Sequence, residues 1–131
     1  GPYANGTYFY ETGDWQTWSN SASAVTIINN ALTTSNVSVY IGSGTYTLTD
    51  SIAATSQDNI TLTFDRAAKL VVANNMEYPA IHLINCNNWV ISGVTIDGNS
   101  ANQSPANTSM IFKDGILIDG GANTLIDKAN I

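Results

Sequence analysis

"AIHLINCNNWVISGVTI" (80–96) and "GILIDGGANTLIDKANI" (115–131) align without a gap at an offset of 35. Ile81 falls on Ile116, Leu83 on Ile118, Asn88 on Asn123, Ile91 on Ile126 and Ile96 on Ile131. "SIAATSQDNITLT" (51–63) joins the same columns at an offset of 29, with Ile52, Ala54, Asn59 and Leu62. A fainter copy opens at "NVSVYI" (36–41), where Asn36 matches Asn59. Each copy carries apolar residues at every second position, the period of a strand with one buried face. Unequal offsets around a constant core mean that insertions bulge between copies. The longest is "GNSANQSPANTSMIFKD" (98–114). Repeats with insertions confined to particular joints are the mark of a solenoid.

The expected fold class is therefore all-β, a coil of about three to four rungs of parallel strands. Ile81, Leu83, Ile91, Val94 and Ile96 point inward. Ile116, Ile118, Ile126, Ala129 and Ile131 stack on them one rung along. Asn59, Asn88 and Asn123 form a structural column at a turn, because Asn tolerates the left-handed backbone that a sharp bend needs. Stacked Asn side chains can also hydrogen-bond from rung to rung.

Upstream, "SASAVTIINNALT" (21–33) has a single apolar stripe of Ala24, Ile27, Ile28 and Ala31, with Leu32 beside it. That spacing predicts a helix lying on the end of the coil, with Asn20 or Ser21 as its N-cap. The organisation read from the chain is an aromatic-rich segment over 1–20, then helix and rungs over 21–131, open at the C-terminal end. Residues 1–20 hold Tyr3, Tyr8, Phe9, Tyr10, Trp15 and Trp18. Such rings cover a core end or offer flat apolar faces to sugars. Trp15 and Trp18 are the carbohydrate-binding candidates.

Composition narrows the function. The net charge is −6, with ten acidic and four basic residues. Nucleic acid and anionic membrane select basic patches, so neither is an expected partner. No apolar run reaches the roughly 20 residues of a membrane span. One cysteine, Cys86, excludes an intrachain disulfide. Five N-x-S/T sequons, at Asn5, Asn36, Asn59, Asn102 and Asn107, fit an extracellular or cell-surface glycoprotein.

Several stretches resemble a known superfamily, the right-handed parallel β-helix proteins of the pectate-lyase and polygalacturonase type. "SASAVTIINNALTT" followed by "VSVYIGSGTYTLTDSI" looks like that group's capping helix and entry strands. "DNITLTFDRAAKLVV" and "NNWVISGVTIDGNSANQ" look like the rungs that follow, so the resemblance covers about residues 20–131. It implies a right-handed coil with an N-terminal capping helix. Members of the group include polysaccharide enzymes, tailspikes, adhesins and surface proteins, so fold does not carry function.

The resemblance also implies where chemistry would sit. The Asn-Thr-Asp, Asp-Asp, Gly-His-Gly and Arg-Ile-Lys motifs of the polygalacturonase-like enzymes do not occur in this sequence. Pectate lyases use clustered acids for calcium and a basic residue as proton acceptor. The single arginine, Arg66, sits beside Asp65 and reads as a local ion pair or solvated turn. Asp97, Asp114 and Asp119 flank the long insertion and are the catalytic candidates. Two close carboxylates can act as acid and base on a glycosidic bond or hold calcium. No D-x-D-x-D-G loop is present, so no cofactor is expected, and calcium on these carboxylates is only a weak alternative. His82 alternates with Ile81 and Leu83 and reads as a surface residue. Cys86 reads as a small structural residue at the turn of Gln57 and Gly121. Val90 and Leu125 face outward on successive rungs and predict a covered face.

The expected function is an extracellular structural or adhesive module rather than an enzyme. An open end of strands, at "NTLIDKANI" (123–131), leads to the expectation of self-association, as in a filament, or of a continuing chain. The alternatives are the N-terminal portion of a polysaccharide lyase or glycoside hydrolase with its catalytic rungs elsewhere, and a surface that binds polysaccharide.

Overall fold

The computed structural model describes residues 7–10, 24–76, 78–103 and 115–131. Its elements are β1 (Thr7–Tyr10), α1 (Ala24–Ala31), β2 (Ser38–Ile41), β3 (Gly44–Leu48), β4 (Ile52–Thr55) and β5 (Asp58–Phe64). They continue with β6 (Ala68–Val72), β7 (Ile81–Ile84), β8 (Asn87–Ser92), β9 (Ile96–Asp97), β10 (Ile116–Asp119) and β11 (Ala122–Asp127). The described chain is mostly β with one short α-helix. Every strand pair is parallel.

The strands form three sheets, ordered β1-β2-β5-β8-β11, β10-β7-β4 and β3-β6-β9. From β2 onward the chain visits the three sheets in a fixed rotation. Each return lands beside the strand one repeat earlier. The register is the one in the sequence columns: Ile52 pairs with Ile81 and Ile81 with Ile116, while Leu62 pairs with Ile91 and Ile91 with Ile126. The offset of 23 between Asn36 and Asn59 is the Ser38–Thr61 pairing of β2 on β5.

Period-2 patterning buries one face of each sheet. In β5 Ile60, Leu62 and Phe64 are buried; in β6 Ala68, Leu70 and Val72; in β7 Ile81 and Leu83. Together with Tyr46, Trp89 and Val94 they belong to one apolar cluster. Burial of this kind contributes roughly 1.5–3 kcal/mol per large side chain. The two polar aromatics inside are satisfied. Tyr46 donates its hydroxyl to Gly42 O at 2.8 Å, and Trp89 donates Nε1 to Gln57 O at 2.8 Å.

Insertions fall at one kind of corner. The joints leading into β5, β8 and β11 are 56–57, 85–86 and 120–121, always the same length. The joints leading into β4, β7 and β10 are 49–51, 73–80 and 98–115. The constant corner is built on left-handed backbone. Ser56, Asn85 and Gly120 have φ of 54°, 51° and 75°. Three residues on, Asn59, Asn88 and Asn123 have φ of 59°, 59° and 62°, and Asn36 has 62°. The Asn side chains bond in two pairs along the column: Asn59 Nδ2 donates to Asn36 Oδ1 at 2.9 Å and Asn123 Nδ2 to Asn88 Oδ1 at 3.2 Å, with no such bond between Asn59 and Asn88. Packing at this corner is close. A Cβ added to Gly121 would sit 1.9 Å from the Cys86 carbonyl oxygen.

The helix α1 ends at Ala31, two residues before the end expected at 33, and Leu32 still bonds back to Ile28 O and Asn29 O. Its proposed caps Asn20 and Ser21, and the aromatic segment apart from the backbone of β1, lie outside the described residues. Val25, Ile27, Ile28 and Ala31 are buried. Asn29 covers the outer edge of β4. Its Nδ2 donates to Ser51 O at 3.0 Å, and its Oδ1 accepts from the Ala53 N–H at 2.9 Å. One side-chain amide thus stands in for a neighbouring strand.

At the opposite end, no described strand lies beyond β10 and β11. Ile118 is 41% exposed, Leu125 58%, Ile126 36% and Ile131 68%.

Asn88→Leu is expected to lower stability by about 1–2 kcal/mol, because leucine lacks the short polar side chain that lets asparagine adopt a left-handed φ and the link to Asn123 is lost. Asn88→Gly, free of the backbone strain, loses less. Thermal unfolding of the two variants checks this, and a Leu variant as stable as the parent contradicts it.

Candidate functional site

The candidate carboxylates are separated by the topology. Asp97 ends β9, in the sheet of β3 and β6, and Asp119 ends β10, in the sheet of β7 and β4. The structure does not bring these two onto one sheet, and Asp114 lies outside the described residues. Asp97 is engaged locally. Its Oδ2 is 3.6 Å from Lys69 Nζ across the strand pair, and its Oδ1 accepts from the Asn99 N–H at 2.8 Å. Both members of the ion pair are half exposed, so it is worth about 0–1 kcal/mol. Among the described residues no group of His, Cys, Asp and Glu is arranged to hold a metal ion.

Asp119 has a different neighbour. His82 Nε2 lies 4.0 Å from Asp119 Oδ2. His82 is half-buried between Ala53 of β4 and Leu117 of β10, so it is less open than the surface residue expected. Its Nε2 is shielded from solvent and makes no hydrogen bond. Cys86 is buried, with Sγ 3.4 Å from Ile84 O and 3.5 Å from Ala54 O. It fills space at the constant corner, as the sequence suggested.

Asp65 carries the clearest electrostatic perturbation. The Tyr40 hydroxyl donates to its Oδ2 at 2.6 Å and the Ala67 N–H donates to its Oδ1 at 2.9 Å. These bonds, the Tyr40 one foremost, with the charge of Arg66 adding to them, hold the carboxyl below its ordinary value. Arg66 thus acts on Asp65 as a neighbouring charge on an exposed turn.

The sequons divide by position. Asn36 and Asn59 belong to the left-handed column, and their partner hydroxyl residues Ser38 and Thr61 lie opposite each other on exposed strand positions. There the N-x-S/T spacing coincides with a turn asparagine followed by an outward hydroxyl. Asn102 is exposed in the 3₁₀ turn Ser100–Asn102 and donates to Asn99 Oδ1 at 2.6 Å. Asn5 and Asn107, like Trp15 and Trp18, lie outside the described residues.

Sequence reasoning missed a hollow of about 290 Å³ at the 73–80 insertion. Thr49, Ala73, Asn74, Asn75, Met76 and Tyr78 line it, and Tyr78 is 52% exposed. The following insertion braces it. Asn99 Nδ2 donates to Asn74 Oδ1 at 2.8 Å and to Val72 O at 3.0 Å, and the Asn75 N–H donates to Asn102 O at 2.9 Å. Asn99 is itself left-handed, with φ 53°. The only advance signal was the Asn-Asn pair in an insertion holding an aromatic residue. The column that includes Val90 and Leu125 begins in register with Thr7, Ser38 and Thr61; Val90 is half-buried and Leu125 exposed.

No protein-family model, curated protein or solved structure matches the chain.

Asp65 has a depressed folded-state pKa, so its contribution to stability is present above the ordinary carboxylate range. It is lost as pH falls through the depressed value. Tyr40→Phe removes the first cause of that depression. Acid titrations of thermal stability are expected to show a smaller loss for the variant than for the parent below the ordinary carboxylate range. Superimposable acid limbs would contradict the Tyr40–Asp65 account.

Proposed function

We propose that the chain is a section of right-handed parallel β-helix of the pectate-lyase and polygalacturonase type, capped by α1, and that its role is structural. In this reading it is an extracellular or cell-surface module, extended by further strands at the β10–β11 edge. The observation that carries the reading is that edge. β10 and β11 keep the register and apolar pattern of the strands before them, yet present Ile118 and Ile126 to solvent, and Ile131 beyond β11 is exposed as well. Unpaired strand edges with apolar faces recruit other strands. At the other end of the β10-β7-β4 sheet, α1 and Asn29 cover β4. The separate positions of Asp97 and Asp119 give the lyase or hydrolase alternative no support among the described residues.

The 131-residue chain is expected to self-associate with rising concentration in sedimentation velocity. The double variant Ile118→Lys and Ile126→Lys is expected to stay folded and shift toward monomer, since charge on an edge strand opposes pairing. A chain that is monomeric throughout the concentration series would overturn the structural reading.

A second reading, a carbohydrate-binding surface, is favoured by the Tyr78 hollow. An exposed ring beside side-chain amides and a hydroxyl offers stacking and hydrogen bonds to a sugar. Titration with neutral and acidic oligosaccharides, followed by NMR, is expected to shift resonances of Asn74, Asn75 and Tyr78. Tyr78→Ala should weaken binding about tenfold or more, as loss of about 1.4 kcal/mol implies. No shift at millimolar ligand removes this reading.

A further inference from the structure

The hydrogen-bonding character of the Tyr78 hollow is fixed from outside it. Asn99 Nδ2 donates to the Val72 carbonyl at 3.0 Å. A carbonyl only accepts, so the Asn99 carboxamide has one possible orientation. The same Nδ2 meets Asn74 at 2.8 Å, and the Asn74 atom facing it is therefore the oxygen, Oδ1. That leaves Asn74 Nδ2 as the polar group this exposed side chain offers to the hollow, with no acceptor among the described residues. Beside it the lining is apolar. Met76 N–H donates to Ala73 O at 3.3 Å, closing a turn that brings Ala73 and the nearly buried Met76 next to Asn74. The half-exposed Tyr78 ring supplies a flat face. Charge in the hollow is of one sign. The insertion "ANNMEYPA" (73–80) holds Glu77 and no basic residue, and Asp50 follows the lining residue Thr49. No described lining residue is basic.

We propose that the hollow binds a neutral 2-acetamido sugar, an N-acetylhexosamine unit. Its ring stacks on Tyr78, its acetamido carbonyl accepts from Asn74 Nδ2, and its acetyl methyl lies against Ala73 and Met76. The proposal rests on the carbohydrate reading of this hollow and names the sugar. Three features select it. A donor next to an apolar patch matches a group that is an acceptor on one side and a methyl on the other. A plain hexose puts a hydroxyl there, whose own hydrogen would face Ala73 and Met76 unpaired, and burying an unpaired polar group costs free energy. A uronate brings a carboxylate to a hollow with acidic neighbours and no cation, where like charges repel. The volume of about 290 Å³ lies at the lower bound of ligand pockets, about 300 Å³, which suits one sugar unit.

The experiment titrates the full chain, followed by NMR, with sugars that differ at one group. N-acetylglucosamine, glucose and glucuronate form one series; N-acetylgalactosamine, galactose and galacturonate form the other. In at least one series the N-acetyl sugar is expected to shift Asn74, Asn75 and Tyr78 with an affinity about tenfold above that of the plain hexose, a difference of about 1.4 kcal/mol. The uronate should bind more weakly than either. Saturation transferred from the protein should be strongest at the acetyl methyl. Asn74→Asp keeps the oxygen that accepts from Asn99 and removes the Nδ2 donor, so it should erase the N-acetyl preference while plain hexose binding persists. Equal affinity for N-acetyl and plain sugars in both series leaves the carbohydrate reading standing and overturns the acetamido assignment. Tighter binding of a uronate overturns it too, as does a preference that survives Asn74→Asp. No shift with any of the six sugars removes the assignment and the carbohydrate reading together. The parent titrations decide these outcomes even if the Asp variant does not fold.

Discussion

The left-handed corner between β7 and β8, and its equivalents before and after, is the constraint on which the architecture depends. Parallel strands cannot be joined by a hairpin, so each must travel through other sheets before returning. The return lands in register only if every circuit makes the same turn at the same place. Two columns of left-handed residues secure that turn: Ser56, Asn85 and Gly120, then Asn36, Asn59, Asn88 and Asn123. All but Ser56 are Gly or Asn, the residue types that accept positive φ at low cost. With this corner held constant, insertions accumulate at 73–80 and 98–115 without disturbing the register of Ile52, Ile81 and Ile116.

Burial then follows from register. Because side chains alternate, a slip of one residue would turn Ile60, Leu62 and Phe64 outward. The corner therefore protects the core, and the core in turn holds the corner. Trp89 illustrates the coupling. It is fully buried between Ile60 and Thr124 in register, while its Nε1 bonds to Gln57 O within the joint itself.

The sequence exposed this logic where one residue type repeats and hid it where types differ. The Asn column and the apolar columns were readable because identical or similar residues recur at the observed offsets, and the pairing follows those offsets. The column of Ser56, Asn85 and Gly120 was not readable, since three different side chains meet one backbone requirement. The candidate site was much less readable. Asp97 and Asp119 both flank an insertion, but proximity in sequence says nothing about which sheet a strand joins. The Tyr78 hollow depends on Asn99 reaching back to Asn74 and Val72, a contact between two insertions that no periodicity reveals. The partial burial of His82 likewise depends on Ala53 and Leu117 in the flanking strands.

The two ends of the stack are treated differently, and the difference bears on how such a chain is used. At β4, one asparagine on α1 satisfies both an N–H and a carbonyl that a neighbouring strand would otherwise take. A side chain can do this because it needs to match only one residue's worth of edge; the helix behind it buries the rest with Ile27, Ile28 and Leu32. At β10 and β11 the pattern of the preceding repeats is kept intact, down to the asparagine and its left-handed backbone. Any parallel strand that followed the same pattern would bury Ile118 and Ile126, whichever chain supplied it. This asymmetry is why the structural reading is attached to that edge rather than to the fold as a whole.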